Sequence, residues 1–173
     1  MWDVPVMPKG LKETSSLIAI SAQVTETAAN TFTSQRVDLQ LNPLDNEVFI
    51  VYAIDLDAQQ PDSVDAVTSS LTGSLSTTER TTVGGIEDSN VMASSRQVIQ
   101  NQTTNAVYTE FKSDSTPTGM LEYIGIIATN DFYLNLAGTN NANVKAMNAR
   151  VFGVRARAEA SVYAALVQSE VLS

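Results

Sequence analysis

The stretch Val48-Phe49-Ile50-Val51-Tyr52-Ala53-Ile54-Asp55-Leu56 decides the fold. It is the longest apolar run in the chain and is rich in β-branched and aromatic residues. Turn chemistry bounds it, with Asn42-Pro43 before it and Gln60-Pro61-Asp62 after it. A short apolar run bounded in this way reads as a strand buried on both faces. Towards its end the run thins to alternation: Tyr52, Ile54 and Leu56 keep one face apolar, and Ala53, Asp55 and Asp57 open the other. The stretch is therefore the expected central strand of an all-β core.

Strand patterns recur on either side. Ser16–Thr25 alternates with Ile18, Ile20, Ala22 and Val24 on one side, and Thr31–Leu41 with Val37, Leu39 and Leu41 inward. Asn42–Asn46 is a tight connection, because Pro sets one dihedral and Asn and Asp tolerate turn conformations. Thr31–Leu41 and Val48–Leu56 thus read as an antiparallel hairpin. Ala66–Glu79 has Val67, Leu71 and Leu75 four apart, a spacing that fits a helix face or a strand face; its Ser and Thr content favours strand. Arg80–Gln102 holds Gly84-Gly85 and few strong apolar positions, so it reads as the most loop-like part, with Val91-Met92 and Val98-Ile99 as short strands or anchors. Ala106–Lys112, Leu121–Ala128 and Phe132–Leu136 read as strands, and Ser113–Gly119 as a turn. Val144–Ala160 is a long return strand that closes a hairpin spanning Phe132–Ala160. Phe152, Val154, Ala156 and Ala158 share one face of it, and Arg155, Arg157 and Glu159 the other. After it, Val162, Leu166 and Glu170 step by four among good helix formers, which reads as a short C-terminal helix or arm.

The expected organisation is an all-β antiparallel β-sandwich of about eight strands, jelly-roll-like, over residues 16–160. Residues 1–15 form an N-terminal arm, and residues 161–173 a C-terminal helix or arm. Even strand spacing with Gly, Pro, Asn, Asp and Ser turns supports a sandwich, and no helical pattern between strands supports βαβ units.

At 173 residues the chain is long enough for one well-buried core. Charged residues make up 17% and hydrophobic ones 43%, and the net charge is −9. Such a balance argues against nucleic acid as the main partner. No run approaches a membrane span, and the N-terminal residues lack the pattern of a signal peptide, so synthesis in the cytoplasm is expected. The chain has no Cys and no His. Disulfides, thiolate or histidine metal sites, Ser-His-Asp triads and Cys-His pairs are thereby excluded. Gly84-Gly85 lacks the Lys-Ser/Thr of a phosphate loop. Asp55, Asp57, Asp62 and Asp65 offer oxygen donors for a hard cation, but their spacing lacks the Gly and terminal Glu of a calcium loop, so a solvated acidic loop is expected. Asp55, Asp57, Glu110 and Glu122 are the candidates for the carboxylate pair a glycosidase would need, Glu110 and Glu122 on neighbouring strands; as outward residues these two read more simply as solvated or as partners of Lys112 and Arg150. The sequence predicts no enzyme, no cofactor and no metal.

The features left are structural. Trp2, Val4 and Met7 lie on an aperiodic lead-in, suited to tucking against the core or docking on a neighbouring subunit. Lys145, Arg150, Arg155 and Arg157 concentrate basic charge late in an acidic chain. Arg155 and Arg157 share a face and suit either intramolecular pairs, Glu159 among them, or the acidic face of a second copy. As a pattern of lead-in arm, about eight strands, buried Val48–Leu56 and long closing hairpin, the chain resembles the single jelly-roll capsid (coat) proteins of icosahedral bacterial and archaeal viruses. The resemblance implies a self-assembling virion subunit made in the host cytoplasm, with loops and arms meeting like neighbours and, in some shells, a second coat protein. It carries over no catalytic residue. Trp2, Val4, Met7, Arg155 and Arg157 are the subunit-interface candidates. Two other readings remain: a phage head-decoration, tail-tube or fibre-associated protein, and a carbohydrate-binding sandwich with Tyr108, Tyr123 and Tyr133 as its aromatic supply.

Overall fold

The computed structural model describes residues 8–112 and 122–172, with the backbone but not the side chains of residues 111–112. Trp2, Val4, Met7, Leu121 and the turn read at Ser113–Gly119 lie outside the described residues. Within them the chain is a β-sandwich of two antiparallel sheets with one helix. In chain order the elements are β1 (Leu11–Glu13), β2 (Ile18–Thr25), β3 (Thr33–Asp38), β4 (Glu47–Ala58), β5 (Thr68–Ser76), β6 (Val91–Asn101), β7 (Ala106–Lys112), β8 (Gly125–Ile127), β9 (Asp131–Thr139), β10 (Ala146–Ala158) and α1 (Ala160–Val171).

One sheet runs β2-β10-β4-β8, with β1 extending the β2 edge along the far end of β10. The other runs β3-β9-β5-β6-β7. Sequence neighbours β2 and β3, β3 and β4, β4 and β5, and β9 and β10 each fall in opposite sheets. Two four-stranded sheets wound in this order form a jelly roll, and β7 is an added edge strand. The expected hairpins are therefore corrected. The Asn42–Asn46 turn reverses the chain but carries it across the sandwich, so Thr31–Leu41 pairs with β9 and not with β4. The Phe132–Ala160 segment likewise splits, β9 pairing with β3 and β5, and β10 with β1, β2 and β4.

The reading of β4 as the central strand holds, and its physical basis is visible. Phe49, Val51, Ile54, Leu56 and Ala58 face the other sheet, in one cluster with Leu71, Leu75, Phe132, Leu134, Leu136, Met147 and Val151. Val48 and Ile50 face the opposite way, into a second cluster with Val154, Ala156 and Ala158 that α1 covers with Val162, Tyr163, Leu166 and Val167. Each fully buried Val, Ile or Phe contributes about 1.5–3 kcal/mol, so the first half of β4 stabilises two interfaces at once.

The change from two-faced to one-faced burial needs a change of phase. A β-bulge supplies it: Phe152 opposes Ala53, Gly153 opposes Val51, and Tyr52 is the extra residue. Tyr52 thus joins the helix-covered cluster instead of the face of Ile54 and Leu56, which corrects the expected alternation. Burial pushes its phenol pKa up, and the Glu13 and Glu122 carboxylates add to the shift.

Other elements depart from the sequence reading in informative ways. Residues 91–101, read as loop-like, form the eleven-residue β6. Its inward row, Ala93, Ser95, Gln97 and Ile99, mixes polar with apolar side chains, and this hides the alternation. Leu121–Ala128 contracts to the three residues of β8. Leu11–Glu13, expected within the arm, pairs with Glu13↔Ala156 and Leu11↔Ala158 on β10. The C-terminal helix forms as the four-residue step predicts. Its Glu170 is buried on the inner face, where its carboxylate accepts from Ala128 N (2.5 Å), Thr129 N (2.9 Å) and Thr129 Oγ1 (2.5 Å).

At the bulge the backbones of β4 and β10 approach so closely that only glycine fits. A Cβ on Gly153 would overlap the Ile50 carbonyl oxygen and stand 2.7 Å from the Phe49 ring. Gly153→Ala is expected to destabilise the fold by roughly 3 kcal/mol, read as a lower urea midpoint at unchanged m-value. An unchanged midpoint would mean that the bulge has room the geometry denies.

Candidate assembly surfaces

The two ends of the sandwich differ in chemistry. One end gathers the β2–β3, β4–β5 and β9–β10 connections, and a polar network locks them. Glu26, buried at the end of β2, accepts from Thr31 N (3.1 Å) and Gly138 N (3.0 Å) with one oxygen and from Lys145 N (3.0 Å) with the other. Asn30 and Asn141 exchange two hydrogen bonds, Asn30 Nδ2 to Asn141 O (2.9 Å) and Asn141 N to Asn30 Oδ1 (2.8 Å). Asn141 also donates to Ser70 O and accepts from Asp62 N. Lys145 Nζ lies 2.6 Å from Asp62 Oδ1, and Asn143 N donates to Asp62 Oδ2 at 2.8 Å. Hydrogen bonding to the Lys145 ammonium holds the Asp62 carboxyl below its usual pKa, aided by the backbone bond from Asn143. Charge-assisted bonds to backbone N–H groups are the strong class, and here they tie the loops of this end to one another.

The other end carries the β3–β4, β5–β6 and β8–β9 connections and the start of β2. The strand directions require this: β3 and β5 both run antiparallel to β9, and β2 and β4 both run antiparallel to β10. Here the loops are clamped from within and display aliphatic side chains. In the β3–β4 connection, Asn42 caps a 3₁₀ turn over Pro43–Asp45, its side chain accepting from Leu44 N at 3.0 Å. Asn46 closes the turn in the left-handed region at φ 51°. Leu44 at its tip is 92% exposed. The β5–β6 loop is built around Arg80, whose guanidinium reaches Asn90 Oδ1 (2.6 Å), Asp88 Oδ2 (2.8 Å) and Thr82 O (3.1 Å). Beneath it lies a buried ladder in which Asn135 Nδ2 donates to Ser74 Oγ and Ser76 Oγ, and Ser74 Oγ donates to Val83 O. That loop presents Ile86, 67% exposed, and Leu17 before β2 is 63% exposed.

Arg155 sits at this end. It forms an ion pair with Glu47 at 2.7 Å and donates to Leu39 O (2.7 Å) and Gln40 O (3.4 Å), so it pins the β3–β4 connection to β10. Arg157 stands 3.7 Å from Asp45, and both side chains are more than half exposed; such a pair adds little stability. The acids that meet the two arginines are thus Glu47 and Asp45, and no bond to Glu159 is among those described. The structure brings Arg155, Arg157 and Leu44 to one end.

Asp62 is engaged by Lys145, while Asp55 and Asp57 lie on the outer sheet face. Among the described residues no three acidic side chains gather as a metal site. Glu110 lies on β7 in one sheet and Glu122 precedes β8 in the other, which corrects their expected placement on neighbouring strands. No described helix is long and apolar enough to cross a membrane. Sequence reasoning missed Glu26, Arg80 and Leu44. A cap signal at Asn42-Pro43 was readable for the last; nothing in local spacing marks the other two.

Fold and ends together define a jelly-roll sandwich with one locked polar end and one end that displays aliphatic loop tips. No family model and no curated protein matches the sequence. Among solved structures, a chain from desmodium yellow mottle tymovirus is similar at TM-score 0.32 and 9% identity, over 92% of this chain and 98% of that one. A turnip yellow mosaic virus chain is similar at TM-score 0.33 and 9% identity, over 92% and 87%. The tailspike protein gp49 of Acinetobacter baumannii bacteriophage Fri1, a capsular polysaccharide depolymerase, is similar at TM-score 0.17 and 15% identity, over 69% of this chain and 19% of that one.

The Asp62–Lys145 pair makes a testable pH statement. The folded-state pKa of Asp62 is depressed, so its contribution is present above the unfolded value of about 3.9 and is lost as pH falls through the folded value. Asp62→Asn is expected to be less stable than the parent at neutral pH, and the gap is expected to close on acidification. Urea melts at several pH values check this; a gap that stays constant into strong acid would contradict the ion pair.

Proposed function

We propose that the protein is a virion structural protein, a self-assembling coat subunit that acts without catalysis and packs against copies of itself through loop tips and its N-terminal residues. The observation that carries the reading is the display of Leu44 and Ile86 on internally clamped loops, with Leu17 also exposed, at one end of a jelly roll. Jelly rolls serve capsid, lectin and cupin domains alike, so the fold alone is an analogy. Rigid exposure of large aliphatic side chains tips the choice. Ordering a flexible loop at an interface costs about 0.5–1.5 kcal/mol per immobilised side chain, and loops clamped by Asn42 and Arg80 avoid much of that cost.

In this reading Trp2, Val4 and Met7 dock on a neighbouring subunit. Arg157 meets acidic groups of a second copy, while Arg155 holds the loop that presents Leu44. The acidic net charge suits a subunit that does not grip the genome directly. Synthesis in a host cytoplasm and residence in the virion follow from the same reading.

The test is sedimentation velocity over a concentration series, comparing the parent chain with Leu44→Asp/Ile86→Asp and with a chain lacking residues 1–7, which keeps β1. The parent is expected to form discrete oligomers or larger particles. Both variants are expected to shift to smaller species while keeping thermal stability within about 0.5 kcal/mol of the parent. A parent that stays monomeric throughout, or variants that assemble as the parent does, would overturn the proposal.

A further inference from the structure

The outer face of the β2-β10-β4-β8 sheet is covered only in part. Helix α1 lies over Val154, Ala156 and Ala158 and the Val48–Tyr52 half of β4. Beyond the bulge the same face becomes polar, and Asp55, Asp57, Asn148 and Arg150 on it are exposed. Strand register arranges it in rows across three strands: Ser21, Arg150 and Asp55 in one, Gln23, Asn148 and Asp57 in the next, and Ala19, Phe152 and Ala53 at the helix-proximal edge. These rows floor an open depression of about 680 Å³ lined by Ser21, Gln23, Asp55, Asp57, Asn148 and Arg150, with Phe152 at its border.

We propose that this platform binds a neutral saccharide, independently of whether the protein assembles. The chemistry of the rows selects the ligand class. Carboxylates accept from hydroxyls, amide and guanidinium groups donate to them, and both kinds alternate across the floor. The strands are about 4.8 Å apart and successive same-face residues about 6.8 Å apart, a grid that matches hydroxyls on opposite edges of pyranose rings. Polar groups of the floor already contact one another: Gln23 Nε2 donates to Asn148 Oδ1 at 2.8 Å, and Arg150 Nε to Ser21 Oγ at 3.4 Å. Phe152, half-buried, offers an apolar surface for a sugar C–H face.

Competing ligand classes fit less well. Two carboxylates repel an anion. Arg150, directly opposite Asp55, disfavours a cation, and the floor lacks the continuous apolar surface an aliphatic peptide needs.

Saturation-transfer NMR on the intact protein tests the platform, with cellobiose, maltose, lactose and mannobiose as probes. Transfer to at least one is expected. Asp57→Ala and Asn148→Ala should each weaken binding about tenfold at unchanged melting temperature, because both side chains are exposed. Absence of transfer from all four sugars would overturn the proposal. So would transfer that neither substitution reduces, or transfer abolished by a chelator, which would assign the platform to a cation.

Discussion

The structure depends on one constraint: β4 must bury both faces over its first half and one face over its second. An unbroken strand of period two cannot do this with the residues present. Tyr52 is spent as a bulge, and the phase shift turns Ile54, Leu56 and Ala58 back towards the core that Phe49 and Val51 already face. Gly153 on β10 makes the shift sterically possible. The same step decides what lies on the outside of the sheet. Before the bulge the outer face is apolar and must be covered, which α1 does; after it Asp55 and Asp57 face solvent. The helix, the polar platform and the core therefore share one origin.

The remaining stability is distributed to the ends. Jelly-roll winding gathers the described connections at the two ends of the sandwich, where backbone donors and acceptors need partners. At one end Glu26, Asn30, Asp62 and Asn141 supply them across loops far apart in sequence. At the other, Arg155 and Arg80 take that role, one for each major loop. Because these clamps lie beneath the loops, the tips are free to carry Leu44 and Ile86.

Much of the fold was legible because burial writes itself into local pattern. β2, β4, β9 and β10 show apolar rows, and the step of four from Val162 to Glu170 marks the inner face of α1. What was not legible is non-local. Turn chemistry at Asn42–Asn46 says that the chain reverses, but not whether it returns in the same sheet or crosses to the other. β6 escaped because Ser95 and Gln97 occupy its inward row. Glu26 looks like an ordinary turn residue until Gly138 and Lys145 are brought to it. The polar platform exists only once β2, β10 and β4 are set in register, since its rows draw on residues more than a hundred positions apart.

The central claim is that the displayed loop end makes contacts between copies of this chain, and the most direct measurement is electron microscopy of the purified protein at high concentration. The account predicts closed particles of repeating subunits, with the 39–46 and 77–90 loops lying at subunit contacts in the reconstruction. Fields of single, dispersed subunits at every concentration and salt, or particles whose contacts leave both loops in open solvent, would contradict it.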